Sequence, residues 1–401
     1  MAEPLQWRIL VVDDEPKICE QIKKSLDGAE IVKDKEYLSV ITQENFNRSL
    51  EDLETYKIDL VILDVKNGDI EVTEGDFEEA GEEILKKIHE KRYIPIIFYT
   101  ALPTEIQHLK GPLIKILQKE TDHKILLKPI TEILKTPFPS MNRAIISHIE
   151  RNQADYLRDF VSAHWEQFGN VSDQYDLVHL LLRRFILSIS NEGIKQLLKE
   201  LNAPPEMCTD DPVIHPMQYY VYPPIEPTEL TGDIFKRKIG GKEEYLIFLT
   251  PSCDLVTGHV KAEKVLLARC NFLSEQKEYQ NWMRDYKRSK DFDKNTPSEE
   301  IDKVIKSEER LQALLKNNRQ KNQPDRFFYL PGVINIPNLI VDFQDIENIE
   351  ISTLRKMERI ASLDSPFAES LSSRFTRYYG RVGSPDLNIE GIFCKFRERC
   401  D

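Results

Sequence analysis

The sequence predicts an α/β protein whose N-terminal third is a doubly wound parallel sheet. Four apolar runs of strand length, RILVV (8–12), IDLVIL (58–63), IPIIFYT (94–100) and HKILL (123–127), recur along residues 8–130. Their hydrophobicity is continuous rather than alternating, as in strands covered on both faces of a parallel sheet. The stretches between them carry apolar residues at helical spacing, and strand–helix–strand alternation gives the doubly wound order.

Taken in order, RILVV is the first strand and ends at Asp13 and Asp14. PKICEQIKKSL (16–26) reads as the first helix. EIVKD or YLSVIT serves as the second strand, with its register open. IDLVIL ends at Asp64, and EEAGEEILKKIHEKR (78–92) is a helix with Ile84, Leu85 and Ile88 on one face. IPIIFYT ends at Thr100, and HKILL runs into Lys128 just before Pro129.

Each strand thus ends in a polar residue, and in an open parallel sheet the carboxyl ends of the strands meet in one crevice. Asp13, Asp14, Asp64, Thr100 and Lys128 are therefore expected to converge. Three carboxylates brought together repel and raise at least one pKa unless a hard divalent cation such as Mg²⁺ neutralises them. A carboxylate beside such a cation can attack phosphorus and carry an acyl phosphate, with a lysine balancing charge and a hydroxyl donating to the phosphoryl group.

This pattern, DD after strand one, D after strand three, T after strand four and KP after strand five, resembles the receiver domain of bacterial two-component response regulators over about residues 5–135. The resemblance implies a flavodoxin-like fold, Asp64 as phospho-acceptor, and Asp13 and Asp14 as Mg²⁺ ligands, one of them through water. It further implies the backbone carbonyl of Lys66 as a metal ligand, Thr100 as switch hydroxyl, and Lys128 as counter-cation ahead of a cis Pro129 bond. The implied partner is a histidine kinase or phosphotransfer protein. Two departures stand out. The stretch VKNGDIEVTEGDFEEAGEE after Asp64 is longer and more acidic than the loop typical of the family, so the rim of the pocket is altered. Leu126 stands two residues before Lys128, where many receivers carry an aromatic, so an aromatic switch is not expected. A lone acid pair would be read as solvated loop residues of some other doubly wound domain; five positions in order outweigh that reading.

At 401 residues the chain exceeds the size at which single cores stop growing, and three segments are expected: a receiver at 1–138, a helical connector at 139–203 and an α+β output or interaction domain at 204–401. The formal charge of −13 argues against a general nucleic-acid binder, because phosphate neutralisation by Lys and Arg supplies most of that affinity. MAEPLQWRILVV lacks a signal-peptide pattern and no run is long enough to span a membrane, so a cytoplasmic protein is expected. Six scattered cysteines without CxxC, and histidines without HxxxH or HExxH spacing, give no reason to expect a disulfide framework or structural zinc.

In the connector, TPFPSMNR (136–143) reads as a boundary, and residues 142–166 as an amphipathic helix with Ile146, Ile149, Gln153, Tyr156, Phe160 and Ala163 or His164 on one face. Ser172 is the candidate cap of a second, nearly all-apolar helix. These helices either carry the receiver's state onward, as in a homodimer, or simply pack on the C-terminal domain.

In the C-terminal half, GDIFKRKI, EYLIFLTP and KVLLARC read as strands, Gly240 and Gly241 as a hairpin turn, and the whole as a small barrel or curled sheet. The layout resembles SH3-like barrels such as the PemK-type toxin ribonucleases. LTPSCDL (249–255) is the chemically dense segment: Cys253 as nucleophile or ligand, Asp254 as acid, Thr250 and Ser252 as donors, and His215 or His259 as base. The plain alternative is a turn whose hydroxyls bond the backbone. STLRKMERIASL and PFAESLSSRFTRYYGRVG look helical, the latter with Arg374, Arg377 and Arg381 at helical spacing, either for an anion or for neighbouring carboxylates. A protein effector is the expected output partner. A phosphorylation-gated nuclease, or a phosphate sink in a specialised pathway such as phage defence, are the alternatives.

Overall fold

The computed structural model describes residues 5–33, 35–65, 77–167, 171–188, 191–201, 214–225, 228–255, 262–293, 296–317, 325–380 and 388–397. The chain divides into two units, Met1–Asp211 and Pro212–Asp401, so the connector helices cluster with the N-terminal unit.

The first unit is built on a six-stranded sheet of β1 (Leu5–Val12), β2 (Glu30–Val32), β3 (Glu36–Gln43), β4 (Leu60–Leu63), β5 (Ile96–Thr100) and β6 (Ile114–Gln118), in the order β2-β3-β1-β4-β5-β6. All pairs are parallel except β2–β3, so both segments proposed for the second strand are strands, joined as a hairpin. The helices are α1 (Pro16–Leu26), α2 (Phe46–Thr55), α3 (Phe77–Lys91) and α4 (Leu127–Leu134). Because side chains alternate along a strand, β1 sends Trp7, Ile9 and Val11 to one buried cluster, where they meet Cys19, Ile22 and Leu26 of α1 and Ile130 and Ile133 of α4. Leu10 and Val12 go to the other, with Phe46 and Leu53 of α2 and Ile84 and Ile88 of α3. Continuous hydrophobicity is thus explained by two covered faces. No helix crosses from β5 to β6; a 3₁₀ turn at Gln107–Leu109 does, and Ile106 lies so close over α3 that a Cβ at Gly81 would stand 2.9 Å from its Cγ2.

Two expectations are corrected here, for one reason. HKILL is not a strand: His123–Leu126 is a 3₁₀ turn whose Asp122 side chain accepts from the Lys124 N–H at 3.0 Å, and it runs into α4. Pro129 is the third residue of that helix, not the end of a strand, and the cis peptide bonds among the described residues are Tyr222–Pro223 and Ser365–Pro366. The break between α4 and α5 falls at the prolines read as a boundary, and α5 (Pro137–Tyr156) starts at Pro137, ahead of the start expected at 142. Proline is at home in the first turn of a helix, where the N–H it lacks has no partner.

Beyond α5 the chain passes through a π turn (Leu157–Val161) and a 3₁₀ segment (Ser162–Gln167) into α6 (Val171–Ser188) and α7 (Asn191–Glu200); Ser172 lies inside α6 rather than before it. α5 is fastened to the amino-terminal ends of β1 and β4, opposite the acids. Arg143 pairs with buried Asp59, donates to the Gln6 carbonyl at 2.9 Å and lies over the Trp7 ring.

The second unit is a seven-stranded antiparallel sheet of β7 (Tyr220–Val221), β8 (Asp233–Ile239), β9 (Lys242–Phe248), β10 (Lys264–Phe272), β11 (Phe327–Leu330), β12 (Leu339–Glu350) and β13 (Glu358–Leu363), ordered β11-β12-β10-β9-β8-β13-β7. Gly240 and Gly241, at φ +56° and +82°, make the two-residue turn expected between β8 and β9. Its helices are α8 (Lys277–Ser289), α9 (Ser298–Leu315), α10 (Ile351–Leu354), α11 (Phe367–Tyr379) and α12 (Ile389–Arg397). STLRKMERIASL is therefore corrected from a helix to the end of α10 followed by strand β13, where Ala361 and Leu363 pack into the core.

Candidate functional site: an acidic crevice closed by a lysine

Asp13, Asp64 and Thr100 follow or end β1, β4 and β5, three neighbouring strands, and all three are buried. Asp14 is exposed beside them. Oxygen atoms of Asp13, Asp14 and Asp64 lie within 4.8 Å of one another. The backbone sets this arrangement: the Asp13 N–H donates to the Gln43 carbonyl at 3.2 Å, and the Asp64 N–H donates to the Val12 carbonyl at 3.0 Å. The sheet ladder therefore continues one residue past the strand ends and presents the carboxylates at its rim.

The cation of the site is Lys119, not Lys128. Its Nζ lies 2.7 Å from Asp13 Oδ2 and 2.7 Å from Asp64 Oδ2. Lys119 directly follows β6, the next strand after β5, and its N–H donates to the Thr100 carbonyl at 2.9 Å. Lys128 is an exposed residue in the first turn of α4. The strand that carries the lysine is hard to see in the sequence because β6 is an edge strand: IKILQ is only half-buried, without clear alternation, so it looks weaker than HKILL. The signal available was IKILQK itself, a short aliphatic stretch closing on a lysine. Two residues before Lys119 stands Leu117, so an aromatic is lacking at that position as well.

Burial pushes the Asp13 carboxyl upward, opposed by its bonds to Lys119 and to the Glu15 N–H; the net direction is up. Burial alone would lower Lys119, but hydrogen bonds to the two carboxylates outweigh it and hold the ammonium above its usual range. One ammonium thus serves two carboxylates. Thr100 Oγ1 accepts weakly from the Leu102 N–H at 3.4 Å. Lys66 lies outside the described residues, as does most of the long acidic stretch after Asp64.

Among the described residues LTPSCDL gathers no comparable cluster. Thr250 Oγ1 accepts from the Leu266 N–H at 2.8 Å, and Ser252 Oγ accepts from the Thr231 N–H at 2.9 Å. These hydroxyls hold the loop. Cys253 is exposed, with its Sγ 3.9 Å from Asp254 Oδ1. His215 caps its own 3₁₀ turn, and His259 lies outside the described residues. Arg374 and Arg377 reach Asp325, and Arg374 also donates to the carbonyls of Phe327 and Asn317; Arg381 lies outside the described residues.

A curated relative, the heme response regulator HssR of Staphylococcus saprophyticus, is 33% identical over 92 residues, covering 23% of this chain and 34% of its own. The N-terminal domain is a receiver domain. The chain spans about a third of that relative's length, and no family model matches. Solved structures similar to the domain include a response regulator from Thermotoga maritima (23% identity, 33% of this chain, 100% of the other, TM-score 0.26). Another is the T. maritima response regulator TrrA with Mg²⁺ and BeF (28% identity, 32% and 98%, TM-score 0.23). TrrA also appears in complex with the histidine kinase ThkA (27% identity, 32% and 99%, TM-score 0.21). The likeness is thus confined to about the first third of the chain and is to receiver domains of response regulators.

Proposed function

We propose that Asp64 accepts a phosphoryl group from a histidine kinase or phosphotransfer protein, and that the resulting change regulates a protein-binding output in the C-terminal unit. The observation that carries this reading is the Lys119 ammonium 2.7 Å from both Asp13 and Asp64 at the carboxyl rim of the sheet. A carboxylate of Asp64 attacks phosphorus while the phosphorus–nitrogen bond of the donor's phosphohistidine breaks; the imidazole nitrogen leaves with the electron pair, and an acyl phosphate forms. Lys119 stands where it can neutralise the incoming phosphoryl oxygens, and the Thr100 hydroxyl ends the adjacent strand as a donor.

The residues fit Mg²⁺. Among the described residues three carboxylates converge, with the Lys119 ammonium bridging two of them, and hard oxygen donors suit that ion. Asp13 and Asp14 would hold it, together with Asp64 and the Lys66 carbonyl. When bound it supplies charge neutralisation at the phosphoryl group.

Among the described residues no helix is long and apolar enough to cross a membrane, and we place the protein in the cytoplasm, where such kinases present their phosphohistidine. A homodimer through the connector is supported by the apolar residues left exposed on α6, Val178, Leu182 and Ile186 at four-residue spacing, with Ile145 and Ile149 on α5. The test of the phospho-acceptor is thermal stabilisation by Mg²⁺ with beryllofluoride: wild type is expected to respond and Asp64→Asn not to. An equal response in both rejects the assignment.

A further inference from the structure

Where the resemblance has a proline after the active-site lysine, this chain has Glu120. We infer that the Tyr99 hydroxyl is what positions Lys119 here, acting through the main chain of Glu120; the inference rests on the phospho-receiver reading. The Tyr99 oxygen lies 2.9 Å from the Glu120 N–H, which donates to it, and 2.9 Å from the Glu120 carbonyl, to which it donates. His123 Nδ1 is 3.1 Å away on the same hydroxyl, and its Nε2 is 3.3 Å from the Gln21 side-chain oxygen.

The sheet register shows why such a clamp is needed. Pairing of β5 with β6 stops at Thr100 and Gln118, so Lys119 lies just past the ladder. Its own N–H is tied to the Thr100 carbonyl, and the next residue is tied at both backbone atoms to Tyr99. Two consecutive residues of β5 therefore hold the chain on either side of the lysine. Tyr99 and Thr100 point to opposite faces, so Thr100 is turned to the crevice while Tyr99 packs below it in the cluster of Trp7, Leu126 and Ile130. The ring is buried, and because the hydroxyl's one proton goes to the Glu120 carbonyl, His123 meets that oxygen as an Nδ1–H donor. A tyrosine that only filled the core would not need its hydroxyl on both atoms of one peptide residue.

The test compares wild type, Tyr99→Phe, Lys119→Ala and the double variant as full chains. Tyr99→Phe keeps the ring and is expected to slow phosphorylation by acetyl phosphate about five- to tenfold, the worth of one or two hydrogen bonds. With Lys119 already alanine the same change should alter the rate less than about twofold, because coupled residues are non-additive. A second readout needs neither donor nor metal: the Lys119 ammonium protons should give a slowly exchanging NMR signal in wild type that broadens in Tyr99→Phe. His123→Ala leaves the tyrosine in place and serves if Tyr99→Phe does not fold; it should act in the same direction with a smaller factor. Equal slowing with and without Lys119, or an unchanged ammonium signal, overturns the inference. A wild type that takes up no phosphoryl group while its ammonium signal still depends on Tyr99 overturns the phospho-acceptor reading and upholds the positioning role.

Discussion

Exchanging Lys119 and, separately, Lys128 for methionine sets the two lysines against each other. In Lys119→Met the buried carboxylate of Asp13 and the neighbouring Asp64 lose an ammonium at 2.7 Å, and three acids remain within 4.8 Å of one another. Removing one partner of a buried pair costs about 3–5 kcal/mol. Asp13 can relieve part of this by binding a proton, since burial already raises its pKa and Lys119 was the main opposing influence. A cost of about 2–4 kcal/mol at neutral pH follows. The pH dependence has a definite sign. A carboxyl whose folded pKa exceeds its unfolded value binds more protons when folded, so the variant should lose stability as pH rises through that window and regain it on acidification. Mg²⁺ should stabilise Lys119→Met more than wild type, because in wild type the metal must first take Asp13 from the lysine; the gain grows as RT ln(1 + [Mg²⁺]/Kd). Lys128→Met, at an exposed position of α4, should stay within about 0.5 kcal/mol of wild type. Urea unfolding followed by circular dichroism, with and without Mg²⁺ and with the transitions of the two units fitted separately, measures all of this. Equal stability of the two variants, or no difference between Lys119→Met and wild type in their response to Mg²⁺, would refute the reasoning.

Other positions give equally direct expectations. Arg143→Ala leaves buried Asp59 with the Arg8 N–H but without its guanidinium, and should cost about 2–4 kcal/mol; faster hydrogen exchange in the first turns of α5 would show the helix loosening from the sheet. Burial pushes the Cys19 thiol from near 9 up to about 11. Iodoacetamide at about pH 8 should therefore label exposed Cys253 and Cys394 and spare Cys19 and Cys270, as read by peptide mass spectrometry. Since the unfolded thiol ionises first, the folded state keeps its proton longer and Cys19 should lower stability as pH rises between those two values.

Much of the receiver was legible because its central strands are buried on both faces. RILVV, IDLVIL and IPIIFYT stand out as aliphatic runs, and each delivers its terminal polar residue to the crevice. Periodicity was less reliable at the sheet's edge. β6 is covered only in part, its alternation is weak, and the stronger run HKILL drew the lysine assignment nine residues too far along the chain. The two prolines of PFP do lie at a break, between α4 and α5, but they open the second helix at Pro137 rather than leaving its start at 142. In the second unit the glycine pair marked its hairpin correctly, whereas ERIASL was hidden by polar residues on its half-exposed start. The clamp on Lys119 left no sequence signal, because Tyr99 and Glu120 are brought together only by the register of β5 and β6.

The central claim is that Asp64 takes up a phosphoryl group. Incubating the full chain with Mg²⁺ and acetyl phosphate, reducing any acyl phosphate with borohydride and sequencing the peptides by mass spectrometry tests it directly. The account predicts one reduced residue, at Asp64, that needs Mg²⁺ and disappears in Asp64→Asn. Modification at Asp13 or Asp14 instead, or none under conditions where the protein is folded and binds Mg²⁺, would contradict it.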